Sequence, residues 1–409
     1  MSREPIMPTS ATTFVTVEPG DADIAAGALV RLLGREGGGP VRVLARAGGM
    51  PSAAALAARF GLTAHLLPET PAHPEGAALR GLMAEAAAPG AEAVICATST
   101  PFPMVFRNNE AAPAFNAQLP AVRVLHGLGL RRFRFLDRDG SERISEIPHL
   151  LDGFKGRHRG ERAFIVGNGP SLRRIDMRLL KDELTFGSNR SFLGYEDWGF
   201  PFRYWGISDR LQIEMYKEEY EEGIDRDSVK FFPFEYLHFL KVANACPCEI
   251  ASDAAFGEQW LRFPHFGERP NALFMSFTVT ITLIQIAALM GCDPIVLIGV
   301  DHNYPIARVK RRGNDEAFVN PALTTPMRDL QRRSKLGWDY WEGNTATGAT
   351  HFTDKYVTNK IFVPPRTAWS ETAYDYAKLW CDRAGVTILN ATPDSHLTSY
   401  PRVAYETLF

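Results

Sequence analysis

The residues whose types and order suggest chemistry begin with Gly167-Asn168-Gly169-Pro170-Ser171. They stand between an apolar tetrapeptide, Ala163-Phe164-Ile165-Val166, and the spaced apolar pattern Ile175, Met177, Leu179, Leu180. The tetrapeptide reads as a buried strand and the later pattern as a helix. Two glycines between them let the chain turn tightly and approach a ligand closely, and the first amides of a helix present N–H groups with the positive end of its dipole. Such a turn suits a phosphate or a carboxylate. It lacks the third glycine of a dinucleotide fingerprint and the Gly-Lys-Ser/Thr of a P-loop. The alternative is a plain strand-to-helix turn capped by Ser171.

Three more polar clusters follow strand-like runs: Ser188-Asn189-Arg190-Ser191, Ser208-Asp209 and Asp301-His302-Asn303-Tyr304. Ligands of open α/β sheets bind at the carboxyl ends of the strands, so these clusters predict one binding edge. Asn189 offers hydrogen bonds to a base or sugar. Asp301 either orients polar groups there or serves as a cap or a loop ion pair. His351, in Gly348-Ala349-Thr350-His351-Phe352, has an imidazole whose ordinary pKa of about 6.5 suits proton removal near neutrality. On its own it reads first as a packing or surface histidine.

The elements that must position these residues alternate along the chain. Strands are expected at 13–17, 41–45, 63–67, 93–97 and 121–125. Helices are expected at 23–33, capped by Asp21 or Asp23, and at 52–60, capped by Ser52 and stopped by Gly61. This is the pattern of a small α/β domain with a largely parallel sheet. Alternating residues around Asp137-Arg138-Asp139-Gly140 predict a hairpin over 131–146. Residues 153–160 read as a linker, which divides the chain into 1–152 and 153–409. The second part is expected to hold strands at 163–166, 185–187, 204–207, 294–300 and 386–389. Its helices are expected at 278–290 and 371–384, with a long polar loop over 305–325.

Composition bounds the function. At 409 residues the chain exceeds the ordinary domain of about 100–200 residues, so two domains are expected. With 45% hydrophobic residues it is globular, and a formal net charge of -2 excludes a general nucleic-acid binder. Five cysteines, with Cys246-Pro247-Cys248 the only close pair, fit neither a disulfide framework nor a zinc site and read as reduced. Residues 1–11 lack the apolar core of a signal peptide, and the apolar stretch 274–290 is too short and polar to span a bilayer. The expected location is cytoplasmic, with peripheral association at the inner face of the membrane left open.

The order of the motifs carries a resemblance. Gly167-Asn168-Gly169-Pro170-Ser171-Leu172, Ser188-Asn189, Thr278-Val279-Thr280 ahead of Gly291-Cys292-Asp293-Pro294, Gly299-Val300-Asp301-His302 and His351-Phe352 together resemble the MptE-like Rossmann superfamily. That group joins 6-hydroxymethylpterin diphosphokinase-like domains, Maf-type flagellin-modifying proteins and bacterial sialyltransferases. Asn390-Ala391-Thr392-Pro393 and Tyr400-Pro401-Arg402-Val403 fit a bacterial branch of it. The resemblance covers about residues 160–409 and leaves the N-terminal part unassigned.

The resemblance implies a Rossmann-like C-terminal domain with a mostly parallel sheet, beside a smaller N-terminal α/β domain. It implies a metal-independent inverting glycosyltransferase using a CMP-activated nonulosonic (sialic-like) acid to modify a surface glycan or protein. No cofactor is expected. Gly167, Asn168, Gly169, Pro170, Ser171, Asn189, Ser208, Asp209, Thr278 and Thr280 would line the nucleotide site, His351 would act as base, Asp301 would orient the site, and Tyr304 would stabilise the leaving phosphate. Tyr304 lies one residue from the family position, and Thr278-Val279-Thr280 replaces Thr-Ser-Gly, which bears on the sugar. A diphosphokinase would instead bind ATP with magnesium and pass diphosphate to a pterin-type acceptor. A third reading is a non-catalytic nucleotide-binding module. The basic clusters Lys310-Arg311-Arg312 and Arg332-Arg333-Lys335 form either a lid over an anionic donor or a solvated loop. Asp21-Ala22-Asp23 and Asp137-Arg138-Asp139 have the Asp-x-Asp form of metal-dependent glycosyltransferases but read as a helix cap and a hairpin.

Overall fold

In the computed structural model, the residues described are 11–17, 22–34, 39–67, 77–96, 118–136, 141–251, 272–274, 278–303, 309–312, 338–341, 350–356 and 367–409. They divide between Pro148 and His149 into two compact units.

The first unit is built on a six-stranded sheet of β1 (Thr13–Thr16), β2 (Val41–Ala45), β3 (Ala64–Leu66), β4 (Glu92–Cys96), β5 (Arg132–Leu136) and β6 (Glu142–Glu146), in the order β3-β2-β1-β4-β5-β6. All neighbours are parallel except the β5–β6 hairpin. Helix α1 (Ala22–Leu33) buries Ala25, Ala28, Leu29 and Leu32, the spacing of one helical face. Two expectations fail here. Residues 121–125 are not a strand but the middle of helix α4 (Leu119–Gly127), whose first turn holds Pro120. Proline lacks the N–H a strand ladder needs but fits a first helical turn, and a short apolar run does not by itself separate a strand from a buried helix. Nor does Ser52 cap its helix. Helix α2 (Met50–Arg59) begins two residues earlier, with Pro51 inside the first turn.

The second unit carries eight parallel strands: β7 (Ala163–Val166), β8 (Leu184–Ser188), β9 (Tyr204–Gly206), β10 (Val229–Pro233), β11 (Ala245–Ala251), β12 (Ala272–Phe274), β13 (Ile295–Ile298) and β16 (Ile388–Asn390). Their order is β12-β11-β10-β9-β8-β7-β13-β16. The fold is therefore α/β and Rossmann-like. Both faces of the sheet are covered, which is why β7 and β13 are uninterrupted apolar runs. Ile165 packs with helices α8 (Val279–Met290) and α9 (Thr367–Ala384) on one side. Phe164 and Val166 pack with Leu172, Met177, Leu180, Phe352 and Tyr356 on the other. All five cysteines are buried and none forms a disulfide. Among the described residues no helix is long and apolar enough to cross a membrane.

Two further expectations change in this unit. The pattern after the glycine turn is not an α-helix but two 3-10 turns, Pro170–Arg174 and Met177–Leu180. Ile175 between them is extended, and Asp176 caps the second turn by accepting from the Arg178 N–H at 3.1 Å. The segment expected as the loop 305–325 contains a strand, β14 (Val309–Arg312), paired antiparallel with β15 (Trp338–Trp341). Lys310, Arg311 and Arg312 therefore lie on a two-stranded ribbon, while Arg332, Arg333 and Lys335 fall outside the described residues.

The strand ends meet closely. Val166 pairs with Ile298, and the ladder continues through Gly167 N–H to Ile298 O at 2.8 Å and Gly169 N–H to Gly299 O at 2.9 Å. A Cβ on Gly167 would overlap the Gly299 carbonyl, and one on Gly169 would lie 2.6 Å from Asp301 Cγ. Gly153, by contrast, has no atom within 4 Å of a Cβ position. All seven tryptophans lie between Trp198 and Trp380, so their fluorescence reports on this unit. In urea unfolding followed by that signal, Gly169→Ala is expected to lose about 1–3 kcal/mol of stability, as overpacked sites do, while Gly153→Ala stays within about 0.5 kcal/mol of the native chain.

Candidate functional site

The strand order reverses at one place in this sheet. From β7 the chain proceeds outward through β8, β9 and β10, whereas β13 adds on the opposite side of β7. Connections leaving β7 and β13 thus diverge, and the crevice opened at their carboxyl ends is where α/β sheets bind ligands. It is formed by Gly167-Asn168-Gly169-Pro170-Ser171 and Gly299-Val300-Asp301-His302.

The turn is held from within the protein. Asp301 Oδ1 accepts from the Ser171 N–H at 3.1 Å, and Oδ2 accepts from Ser171 Oγ at 2.7 Å. Burial raises the pKa of this carboxyl, while Ser171 and the more distant Arg174 lower it. The amide assigned from sequence to a phosphate is therefore taken by a side chain of the neighbouring strand end. With only a short 3-10 turn behind it, no long helix dipole acts at this point. Gly167 and Gly169 are glycines because another strand end passes them.

On the β8 side, Asn168 Nδ2 donates to Ser188 O and Ser188 Oγ, both at 3.2 Å. A carbonyl only accepts, so the amide orientation is set, and Asn168 Oδ1 is left buried without a partner. Asn189 begins the next loop in a left-handed conformation, φ +48°, which asparagine tolerates better than most residues. Its carbonyl accepts from Trp205 Nε1 at 2.8 Å, and its side chain hydrogen-bonds that of Tyr356 while Oδ1 is buried without a hydrogen-bond partner. Two amide oxygens at neighbouring strand ends thus lack donors.

His351 is brought to the same turn. Phe352 N–H donates to Asn168 O at 3.0 Å, and Arg173 Nε fastens the segment by donating to Phe352 O at 2.7 Å. The imidazole is buried, stacked on Tyr356 at 3.9 Å between centroids, with Nδ1 2.9 Å from Thr350 Oγ1. Burial, aided by the Arg190 cation, pushes its pKa down to about 3. The ring is neutral at physiological pH, but so low a proton affinity makes it a poor base. Arg190, buried beside it, donates to the carbonyls of Lys355 and Tyr356, pairs with Glu219 and lies over the Tyr216 ring at 4.4 Å.

On the β13 side, His302 also has a left-handed backbone, φ +53°. Its Nε2 lies 3.3 Å from Glu371 Oε1 of α9, and its ring stands edge-on to Tyr374 at 5.9 Å. The Tyr374 side chain hydrogen-bonds those of Thr278 and Thr280. Thr278 caps α8, its Oγ1 accepting from Thr280 N–H at 3.3 Å. Both threonines therefore sit at the site edge as a cap and as partners of Tyr374.

The remaining expected residues include two that follow β9, the strand next to β8. Asp209 accepts from the N–H groups of Leu211 and Gln212, at 2.9 and 3.3 Å, and so caps the short helix Arg210–Met215 at the end of β9. Its burial raises its pKa. Ser208 is buried next to it, and Tyr304 lies outside the described residues. Sequence reasoning gave no role to Arg190, His302, Glu371, Tyr356 or Tyr374. The first two stood inside the quoted strand-end clusters, a usable signal, whereas the others approach from distant parts of the chain.

Residues 140–307 match the family described as 6-hydroxymethylpterin diphosphokinase MptE-like. The match includes the glycine turn and Asp301 but stops short of His351 and the 390–403 tail. No curated protein matches the chain. Among solved structures, the chain is similar to the MAf glycosyltransferase from Magnetospirillum magneticum AMB-1, at 13% identity and a TM-score of 0.35, over 98% of this chain and 59% of that one. It thus spans less than two thirds of that protein's length. It is also similar to a keto acid-selecting NRPS module with adenylation, ketoreductase and pseudo Asub parts, at 7% identity and a TM-score of 0.16, over 72% of this chain and 31% of that one. Likeness at these levels assigns no activity.

The environment of His351 carries a pH signature. Its pKa in the folded chain, about 3, lies below the ordinary 6.5, so the unfolded chain binds the proton more tightly. The associated stability is fully present above pH 6.5 and is lost as pH falls from there toward 3. The slope is about 1.4 kcal/mol per pH unit. His351→Gln is expected to lose about 2 kcal/mol less than the native chain when urea unfolding at pH 7 is repeated at pH 5.

Proposed function

We propose that the second unit is a transferase that holds a nucleotide-activated donor in the crevice between the ends of β7 and β13. The observation that carries this reading is the pair of buried, partnerless amide oxygens of Asn168 and Asn189 beside the glycine turn. Buried acceptors without donors call for a ligand that brings N–H or O–H groups. Ribose hydroxyls and the exocyclic amine of cytosine are such groups. The family match over residues 140–307 supports a transferase of nucleotide substrates.

Within that class we favour an inverting glycosyltransferase using a CMP-activated nonulosonic acid to modify a surface glycan or protein. Its donor carries one phosphate and needs no protein-held metal. The reaction would run on the cytoplasmic side, with the first unit presenting the acceptor. The second reading, a diphosphokinase acting on a pterin-type acceptor, is favoured by the family description itself, and its magnesium would arrive with ATP.

A thermal-shift series with CMP, CDP, UDP and ATP, the last with and without magnesium, separates the readings, because a ligand of the folded state raises the melting temperature. Stabilisation by cytidine nucleotides alone is expected, with Asn168→Ala weakening CMP about tenfold through the loss of one hydrogen bond to the nucleoside. Stabilisation only by ATP with magnesium establishes the second reading instead. No shift with any of them overturns both.

A further inference from the structure

On the reading of the crevice as a nucleotide-donor site, we propose that residues 350–356 are a strap that sets the donor-side amides. Arg173 is the positioning residue that latches it.

The strap carries neither strand nor helix, yet Thr350, His351, Phe352 and Tyr356 are buried. Backbone groups so placed need partners outside any ladder. The turns that leave β7 and β8 supply them. Phe352 N–H donates to Asn168 O at 3.0 Å, and Arg190 donates to the carbonyl of Lys355 at 2.9 Å and to that of Tyr356. Arg173 Nε donates to Phe352 O at 2.7 Å. Its Nη2 donates to His351 O at 3.3 Å and lies 3.4 Å from Asp354 Oδ1.

The strap in turn holds the groups assigned to the donor. Phe352 ties the main chain of Asn168. The Asn189 side chain hydrogen-bonds that of Tyr356, and because its Oδ1 has no partner, the group that donates is Nδ2. Tyr356 thereby keeps the amine of Asn189 toward the strap and leaves its oxygen for a ligand. An amide released from that contact can turn over and offer N–H groups in place of the oxygen, which reverses what it recognises.

Two arginines hold the strap, and they differ in what else they do. Arg190 is buried, pairs with Glu219 and lies over the Tyr216 ring, so it is also part of the packing of this flank. The Arg173 side chain is 46% exposed. Among the described residues, all of its guanidinium's hydrogen bonds go to residues 351, 352 and 354. Its planar fork spans two successive carbonyls, which the single ammonium of a lysine does not reproduce. Asp354 is 81% exposed, so the carbonyl bonds outweigh that ion pair. Arg173 itself stands two residues beyond Ser171, which Asp301 braces. The latch thus starts from the most firmly held point of the crevice. Phe352 also packs on Trp198 at 5.0 Å and in the cluster beneath β7. Packing therefore keeps the strap attached, and Arg173 decides how closely it sits.

The test uses the full chain, hydrogen–deuterium exchange of the peptide containing Phe352, and calorimetric titration with CMP. Arg173→Met keeps the apolar stem and removes the fork. It is expected to speed exchange of the Phe352 amide at least about tenfold and to raise the CMP Kd about tenfold, with exchange in β7 and β13 unchanged. Arg173→Lys restores neither. Tyr356→Phe keeps the ring and loses only the hydroxyl. It is expected to raise the CMP Kd about threefold while the Phe352 amide exchanges as in the native chain, and it covers the case in which Arg173→Met does not fold. Because coupling is reciprocal, saturating CMP slows exchange of that amide in the native chain. An arginine with a merely structural role would speed exchange throughout the unit and leave CMP affinity in place. Native exchange at Phe352 in Arg173→Met overturns the latch. Native CMP affinity in either Arg173→Met or Tyr356→Phe overturns the link between strap and donor. A native chain that binds no CMP overturns the donor reading instead, while exchange at Phe352 still decides whether Arg173 latches the strap.

Discussion

The contact on which the rest of the second unit depends is the carboxylate of Asp301 against the amide and hydroxyl of Ser171. It joins the ends of two parallel strands where their connections diverge, a place that in other sheets stands open to solvent or ligand. Bringing a carboxylate this close requires Gly167 and Gly169 to carry no side chain, and β13 to arrive level with β7. The anion the turn was built to meet is supplied by the protein. The turn is then a rigid brace, and ligand recognition falls to the groups on either side of it.

Those two sides differ in charge. Toward β8 stand Arg190, three aromatic rings and two asparagine amides. Toward β13 stand a histidine and a glutamate within contact distance of each other. Burial lowers the proton affinity of both imidazoles; the Arg190 cation adds to that at His351, whereas the Glu371 carboxylate opposes it at His302.

Much of the fold was legible. Uninterrupted apolar runs announced β7 and β13, and the four strand-end clusters were visible as polar interruptions after them. Other elements were not. Strand β11 contains Pro247, which argues against a central strand, yet Pro247 stands in the parallel ladder opposite Phe232 of β10. The helix expected after Ser171 fails because extended Ile175 and the Asp176 cap divide the segment into two turns. The glycines were recognised as sites of close approach, but the approaching group lay 130 residues away, beyond the reach of local reasoning. Three of the candidate residues that were missed, Glu371, Tyr356 and Tyr374, share that property. Glu371 and Tyr356 acquire meaning only once α9 and the 350–356 segment have docked.

The glycine junction also bears on how such a chain diversifies. Neither Gly167 nor Gly169 has room for a methyl group, and Gly299 opposite them adopts a positive φ with Leu172 against it. Stepwise substitution is therefore closed off at the centre of the crevice. A side chain at either glycine would have to displace the Gly299 carbonyl or the Asp301 carboxylate, so a change in what the crevice accepts has to be made outside this seam.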